Sequence, residues 1–306
     1  MKNLFPKLLV GAIVLSILLS ACQPTTTAQT DKKTIVVTYS ILGSVVKDLV
    51  GDRANVIVLM PNGQDPHEWE PSAKDVETLT HADLIVQNGL GLEGGMQKAL
   101  AQAQDAGVKF FTASDHITVR HVGQGEGIPS GDPDQAMGAE DPHLWMDPVG
   151  MKSIVDALAV QIKTDLGIDL SDRATSLDAQ LDSLTEEISA SINTIPVENR
   201  KLVTGHESMG YFAQRFGFKL VGALIPSVTT QAEVSASDMA ALKVLIEENH
   251  VKAIFTELGT PKAVSDAIGN ETGVKVIELT THSLPADLSY FTFMRNLTQV
   301  IVDGLK

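Results

Sequence analysis

The sequence predicts an α/β protein of two similar lobes with parallel sheets, bridged by one long helix. Strand-like segments alternate with amphipathic helical segments twice along the chain, and a single long helical pattern separates the two series. At 306 residues the chain is also longer than one hydrophobic core usually supports. We therefore expect an N-terminal lobe at residues 34–168, a linker helix within residues 169–196 and a C-terminal lobe at residues 197–306.

The first lobe is expected to start with a βαβαβ series. Residues 34–38 form a β-branched run typical of a buried strand, and residues 42–50 carry apolar side chains at helical spacing. A strand at residues 56–60, a helix starting at Pro71 and a strand at residues 84–86 follow. This alternation indicates a parallel sheet covered by helices.

The second lobe is expected to repeat the first. The strand end VLMP of the first half is matched by ALIP in the second, and the helical segment PSAKDVETL is matched by SASDMAALK. Any two βαβ segments look somewhat alike, but the ordered matches favour a duplication. The expected strands lie at residues 201–204, 220–224 and 253–255, and the expected helices at residues 210–216 and 237–249.

One helix is expected to join the lobes. It ends before Pro196, and Ser171 is a candidate N-cap for its first turn. Its apolar side chains recur three and four residues apart, as on one face of a helix. They are Leu177, Leu181, Leu184, Ile188 and Ile192.

The amino-terminal segment is expected to lie outside the lobes. After two lysines, residues 8–21 form an apolar or small run of 14 residues, shorter than the roughly 20 that span a bilayer, so residues 1–21 are predicted to be a signal peptide. The tetrapeptide LSAC resembles a lipobox, which makes Cys22 the candidate lipidation site; the alternative is a plain buried or free thiol. Residues 22–33 are polar and threonine-rich, as in a flexible tether.

Four histidines are candidate metal ligands. His67 and His143 lie in the related motifs DPHEWEP and DPHLWMDP, His206 follows a predicted strand, and His282 follows another at residues 274–279. All four come after strand carboxyl ends, two per lobe, where facing α/β lobes form their crevice. A single histidine is more often a surface or core residue, but four in this context predict a divalent metal site in the interlobe cleft. The other four lack the context; they are His81, His116, His121 and His250.

Carboxylates that flank His67 and His143 are expected to support the site. A carboxylate that accepts a hydrogen bond from the non-ligating ring nitrogen of a histidine fixes its tautomer and raises its basicity. The candidates are Asp65, Glu68, Asp141 and Asp147.

These motifs together resemble the solute-binding lipoproteins of zinc/manganese ABC importers, the cluster A-I family. The resemblance covers the whole chain from the lipobox onward, and TGHESMGYFAQRFG around the third histidine is part of it. It implies two α/β lobes bridged by a rigid helix, with a metal ion between them. It also implies that His67, His143 and His206 take the first three ligand places. The third place is commonly His in zinc-type members and Glu in many manganese-type members.

The fourth ligand place departs from the family pattern. The usual residue there is an aspartate followed by Ser-Leu, whereas this chain has His282 followed by Ser-Leu. His282 is the favoured ligand because the register is kept. The alternatives are the nearby carboxylates of Asp287 and Glu278.

Four imidazoles favour zinc as the bound ion. Zinc accepts four nitrogen ligands in a tetrahedron, whereas manganese prefers oxygen-rich sites and is the alternative. Copper and nickel also bind imidazole, so the four histidines favour zinc but do not define the metal. A zinc hydrolase with Glu68 or Glu207 as base is the competing class, but no His-Glu-x-x-His helix or activated serine accompanies these residues. An adhesin is a third functional class, and no residue or motif favours it.

Charge and family resemblance together indicate the partners. The net charge is −15, and −17 without the two lysines of the signal peptide, which excludes the basic surface that nucleic acid requires. The resemblance implies an ABC permease and its ATPase as partners and a monomeric protein. It also implies attachment to the membrane through lipid on Cys22, on the extracytoplasmic side of the cell envelope, whether periplasm or outer surface.

Overall fold

The sheet of the first half of the chain consists of four parallel strands. The computed structural model describes residues 32–123, 126 and 138–306, so the predicted signal peptide, Cys22 and all but the last two residues of the predicted tether lie outside the described residues. The strands are β1 (Thr34–Val37), β2 (Asn55–Val58), β3 (Leu84–Gln87) and β4 (Lys109–Thr112), in the spatial order β2-β1-β3-β4. The helices between them are α1 (Ser40–Val50), α2 (Ala73–Thr80) and α3 (Gln97–Asp105).

The second half contains two parallel strand pairs. Strand β5 (Lys201–Thr204) pairs with β6 (Lys219–Ala223), and β7 (Ala253–Thr256) pairs with β8 (Lys275–Glu278). Strand β5 also lies beside β7. The helices of this half are α6 (Gly210–Phe216), α7 (Ala236–Asn249), α8 (Lys262–Thr272) and α9 (Tyr290–Leu305).

Two long helices separate the strand series. They are α4 (Pro148–Leu166) and α5 (Ser171–Ile192), and α5 packs on α4, α9 and α1. The predicted apolar stripe of α5 is buried along its whole length, which explains why this helix can bridge the two halves. Short 3-10 turns complete the fold at Gly94–Met96, Ala113–His116, Leu144–Met146 and Val197–Asn199.

The start of α5 differs from the sequence prediction. Ser171 is the first helical residue, and Leu170 is the N-cap. The carboxylate of Asp169 takes the capping role instead, since its Oδ1 accepts hydrogen bonds from the backbone N–H of Ser171 (3.1 Å) and from its hydroxyl (2.7 Å). The predicted N-cap, Ser171, was therefore wrong by one residue, and the side chain that caps the helix end belongs to Asp169.

The core follows the predicted α/β pattern. Both faces of β1 are covered, with Ile35 and Val37 packing toward the long helices and Val36 packing toward α2 and α3. The strand predicted at residues 56–60 ends at Val58, but the N–H of Leu59 still donates to the Val37 carbonyl at 2.8 Å. None of the helices in the described residues is long and apolar enough to cross a bilayer.

Candidate metal centre

The fold brings the four predicted histidines together at one point. His67 lies in the loop between β2 and α2, His143 precedes the turn that leads into α4, His206 follows β5 and His282 follows β8. Each offers one ring nitrogen, and these four atoms all lie within 4.8 Å of one another. All four side chains are buried, with at most 3% of any residue exposed. Three of the histidines therefore lie in loops that follow strands, as predicted, whereas His143 lies about 30 residues beyond the end of β4, so the strand-end prediction was wrong for this residue.

The ring nitrogens face one another closely. Nε2 of His143 lies 3.3 Å from Nε2 of His67 and 3.0 Å from Nε2 of His206. The ring of His282 stacks on that of His206 with centroids 5.0 Å apart, and Nε2 of His282 is buried without a hydrogen-bond partner. A buried unpartnered nitrogen is costly unless a ligand takes it up, so the donor set fits a cation at its centre.

Asp141 holds the ring of His143. Its Oδ1 lies 2.9 Å from Nδ1 of His143 and accepts the backbone N–H of the same residue at 2.9 Å, while Oδ2 accepts from Arg120 at 3.1 Å. Burial alone would raise the pKa of Asp141, but the hydrogen bonds and charges of His143 and Arg120 hold this pKa below its ordinary value. The ionised carboxylate keeps the proton of His143 on Nδ1 and leaves Nε2 free to bind.

Glu257 holds the ring of His206 in the same way. Its Oε1 lies 3.0 Å from Nδ1 of His206 and accepts the backbone N–H of His206 at 2.8 Å. Burial would raise the pKa of Glu257, yet its interaction with His206 lowers it. The same carboxylate outweighs burial at His206, whose pKa is raised. The sequence analysis missed Glu257, although it directly follows β7 and so lies at the same strand ends as His206 and His282.

His282 is held by its neighbour and by a tryptophan. Oγ1 of Thr281 lies 2.8 Å from Nδ1 of His282 and donates a hydrogen bond to Oε2 of Glu257. The indole N–H of Trp145 donates to the carbonyl of Thr281 at 3.0 Å. These contacts connect the motif around His143 to the loop that carries His282.

His67 is held mainly through its backbone. Oδ1 of Asp65 accepts the backbone N–H of His67 at 3.0 Å, and Oδ2 accepts the hydroxyl of Thr230 at 2.7 Å. The side-chain amide of Gln231 donates to the carbonyl of His67 at 3.1 Å. A loop of the second half thus lies against the first histidine.

Three of the four predicted supporting carboxylates do not contact a ring nitrogen. Asp141 does, as predicted, but Asp65 binds the backbone of His67 instead. Asp147 caps α4 through the N–H of Val149 and forms two hydrogen bonds to Arg215, at 2.8 and 2.7 Å. Glu68 is exposed. The prediction failed for these residues because flanking position in the chain does not fix the direction of a side chain in a turn.

The remaining candidates lie elsewhere. His81 and His250 are the C-caps of α2 and α7, and the ring of His116 stacks on Phe111 with centroids 4.5 Å apart. Asp287 is exposed and lies just before α9, where its Oδ2 accepts the hydroxyl of Thr292 at 2.7 Å. The two carboxylates considered as substitutes for His282 are therefore exposed side chains, since Glu278 also faces solvent.

Burial keeps two of the imidazoles neutral. The pKa values of His67 and His282 lie well below the ordinary value because burial disfavours the charged ring and the other histidines repel a proton. Burial also lowers the pKa of His143 and outweighs its interaction with Asp141. Since only neutral imidazole binds a metal ion, burial prepares these rings for ligation.

Comparison with known proteins identifies relatives over nearly the whole chain. The family model of ZnuA, "Zinc-uptake complex component A periplasmic", matches residues 35–304. The manganese-binding lipoprotein MntA of Halalkalibacterium halodurans is 27% identical over 279 residues, covering 89% of this chain and 88% of that protein. The iron ABC transporter substrate-binding lipoprotein MtsA of Streptococcus pyogenes is 29% identical over 317 residues, covering 97% of each chain.

Solved structures show the same two-lobed fold. The periplasmic zinc-binding protein TroA of Treponema pallidum superposes with a TM-score of 0.75 at 27% identity, covering 90% of this chain and 99% of that chain. A manganese-bound periplasmic metal-binding protein of Candidatus Liberibacter asiaticus superposes with a TM-score of 0.77 at 23% identity, covering 90% and 100%. The predicted fold class is confirmed by these neighbours. The relatives are substrate-binding proteins rather than enzymes.

Proposed function

Because this chain belongs to the ZnuA family of periplasmic zinc-uptake components, we propose that it captures zinc outside the cytoplasm and delivers it to an ABC permease. The metal-binding role in an ABC importer follows from the family; the choice of zinc is the finer proposal. One observation carries it: four buried imidazoles present their ring nitrogens within 4.8 Å of one another.

The donor set favours one of the metals named for the relatives. Relatives are named for manganese and iron as well as zinc, so family membership leaves the ion open. Manganese binds best to oxygen-rich sites, and zinc accepts four nitrogen ligands in a tetrahedron at about 2.0–2.1 Å. We infer that His67, His143, His206 and His282 are the ligands and that zinc is the preferred ion, with manganese as the alternative.

The charge around the site suits a divalent ion. Four neutral imidazoles leave the ion its full double charge, while Asp141 and Glu257 are both buried beside ligand rings and both have lowered pKa values. Two ionised carboxylates in contact with the ligands offset the charge of Zn²⁺ without occupying a place on the metal. This arrangement supports binding rather than hydrolysis, because a catalytic zinc usually keeps an open position for water.

The proposed assembly follows the family. The partners are an ABC permease and its ATPase, and the chain acts as a monomer with lobes at residues 34–168 and 197–306 around the linker within residues 169–196. We also propose that residues 1–21 are removed, that Cys22 carries lipid, and that residues 22–33 tether the protein to the extracytoplasmic face of the membrane. Relatives named as lipoproteins support this attachment.

Metal analysis of the purified protein tests the function. Elemental analysis and competitive zinc/manganese titration should show zinc bound in preference to manganese, and His282→Ala should bind zinc more weakly. His81→Ala, at the exposed C-cap of α2, is the matched control and should bind like the wild type. Wild-type affinity in His282→Ala would refute the four-histidine site, and a preference for manganese would refute the choice of zinc. Loss of zinc accumulation after gene deletion tests the transport role.

A further inference from the structure

His282 occupies the fourth ligand place, where the family usually has an aspartate. The orientation of its ring therefore needs its own physical explanation. The residue is 2% exposed, and its Nε2 is buried without a hydrogen-bond partner while its Nδ1 lies 2.8 Å from Oγ1 of Thr281. A neutral imidazole carries one proton, and the nitrogen that holds it cannot bind a metal ion. Which nitrogen is protonated therefore decides which nitrogen of His282 can bind a metal ion.

The hydroxyl of Thr281 decides this proton position. A hydroxyl group has one hydrogen to donate and lone pairs to accept. That hydrogen points to Oε2 of Glu257, which also accepts the hydroxyl of Ser208 at 2.9 Å. Once Thr281 donates to Glu257, its oxygen is left to accept a hydrogen bond, and the nearby nitrogen of His282 must be the donor.

Glu257 is fixed as an acceptor by its other contacts. Its Oε1 receives the backbone N–H of His206, which is always a donor, and lies 3.0 Å from Nδ1 of the same residue. Oγ of Ser208 lies 3.1 Å from Oε1 and 2.9 Å from Oε2 and donates to this carboxylate, so Glu257 is surrounded by donors and accepts the hydroxyl of Thr281. The direction of the chain of hydrogen bonds therefore runs from His282 through Thr281 to Glu257.

We propose that Thr281 is a positioning residue that, together with Glu257, holds the proton of His282 on Nδ1 and so presents its Nε2 lone pair to the metal ion. This inference rests on the proposed function and adds the reason why a histidine can serve at the fourth place. One carboxylate then sets both rings of the second half, directly for His206 and through a hydroxyl for His282.

The backbone of Thr281 is anchored from the opposite side of the site. The indole of Trp145 donates to the Thr281 carbonyl at 3.0 Å, and the hydroxyl of Tyr290 donates to the Trp145 carbonyl at 2.8 Å. Trp145 and Tyr290 are fully buried. These contacts anchor the backbone from which the Thr281 hydroxyl reaches both Glu257 and His282.

The hydrogen bonds from His282 through Thr281 to Glu257 form a relay, which nitrogen NMR of the metal-free protein tests directly. With ¹⁵N-labelled histidine and the His282 signals assigned by comparison with His282→Ala, long-range ¹H–¹⁵N spectra distinguish a protonated ring nitrogen from a bare one. We expect His282 of the wild type to carry its proton on Nδ1. Thr281→Val removes the hydroxyl at nearly constant volume and should move the proton toward Nε2, whereas Thr281→Ser should keep it on Nδ1.

Zinc titration of the same variants supplies the functional consequence. Loss of a residue that orients a metal ligand typically lowers affinity 10–100-fold, and we expect a loss of this size for Thr281→Val. Thr281→Ser should bind close to wild type. Thr280→Val, a substitution of the same kind at the exposed neighbour, is the matched control and should change neither tautomer nor affinity.

The outcomes separate the relay from the function. A wild-type His282 protonated on Nε2 would overturn the relay, as would a Thr281→Val variant with wild-type tautomer and affinity. If Thr281→Val does not fold, the tautomers of the wild type and of Thr281→Ser decide the question. A wild type that shows the expected tautomer but binds no zinc would overturn the proposed function while the relay stands.

Discussion

Nδ1 of His206 lies 3.0 Å from Oε1 of Glu257, and both residues are buried at the point where β5 and β7 end. The arrangement is matched across the site by Nδ1 of His143 and Oδ1 of Asp141, which lie 2.9 Å apart. Each half of the chain therefore supplies one buried carboxylate that orients a histidine. The positive charge of the proposed zinc ion is therefore compensated by these two carboxylates, because none of the four clustered donors is a carboxylate.

Glu257→Gln should weaken zinc binding without removing a ligand. The amide keeps the size of the side chain but loses the negative charge, and its NH₂ group cannot accept the hydrogen bond of Thr281. We expect zinc affinity to fall roughly 10–100-fold, as measured by competition with a chromophoric chelator. Glu278→Gln, on the neighbouring strand and exposed, is the control and should bind like the wild type. Equal affinities of the two variants would contradict the role of Glu257.

Zinc affinity should fall in acid, in two stages. The pKa of His206 is raised, because Glu257 outweighs burial, whereas burial lowers the pKa values of His67, His143 and His282. A proton competes with zinc only below the pKa of the metal-free ring, so His206 should be protonated first. We expect the affinity to be nearly constant above the pKa of His206 and to fall with a slope of about one proton per ion below it. The slope should steepen only at lower pH, where the other three rings begin to bind protons.

Calorimetric or competition titrations from pH 8 to pH 5 measure this profile. Glu257→Gln should move the first stage to lower pH, because the carboxylate that raises the pKa of His206 is gone. An affinity that stays constant down to pH 5 would refute competition by protons. A slope of several protons from the start would show that the rings titrate together rather than in the expected order.

Asp178→Asn should stabilise the protein at neutral pH. Burial between α4 and α5, together with the charge of nearby Asp156, raises the pKa of Asp178 to about 6. The folded state therefore binds a proton that the unfolded state, with a pKa near 3.8, has already lost, so stability decreases as pH rises from about 4 to about 6. Above this range the ionised Asp178 stays unfavourable, and removing it should add about 1 kcal/mol to the free energy of unfolding.

Urea unfolding at pH 7.5 and pH 4 distinguishes this effect from a general change of charge. Asp178→Asn should exceed the wild type in stability at pH 7.5 and should differ little from it at pH 4, where the native side chain is also neutral. Asp52→Asn, at an exposed aspartate, removes the same charge and should have little effect at either pH. An equal gain for both variants would mean that net charge, rather than the Asp156 and Asp178 contact, is responsible.

Much of this architecture was predictable from the sequence because its signals are local. The apolar stripe of α5 and the β-branched runs of β1 and β3 determine which face is buried, and the repeated order of these elements predicts two lobes. His67 and His206 follow strands of different sheets, and their convergence was predictable because facing α/β lobes form their crevice at strand carboxyl ends. These inferences need only spacing along the chain.

The supporting residues were less predictable because they depend on tertiary contacts. Glu257 lies 51 positions from His206 along the chain, and Trp145 lies 136 positions from Thr281. Carboxylates adjacent in sequence were favoured instead, but Asp147 turns toward Arg215 and Glu68 toward solvent. Spacing predicts which loops meet, whereas the direction of each side chain depends on the packing of the loops against each other.

Thr230→Val should speed the release of zinc. The hydroxyl of Thr230 donates to Oδ2 of Asp65 at 2.7 Å, and Oδ1 of the same carboxylate holds the backbone of His67. Thr230 belongs to the loop between β6 and α7, so this bond fastens the second half of the chain to the loop that carries the first histidine. A hydrogen bond to a charged group contributes about 1.5–3 kcal/mol, and its loss should raise the rate of zinc dissociation roughly tenfold or more.

Stopped-flow mixing with excess chelator measures the rate of zinc dissociation. Thr230→Ser keeps the donor and should release zinc at the wild-type rate, so equal rates for the valine and serine variants would show that the hydroxyl does not hold His67 in place.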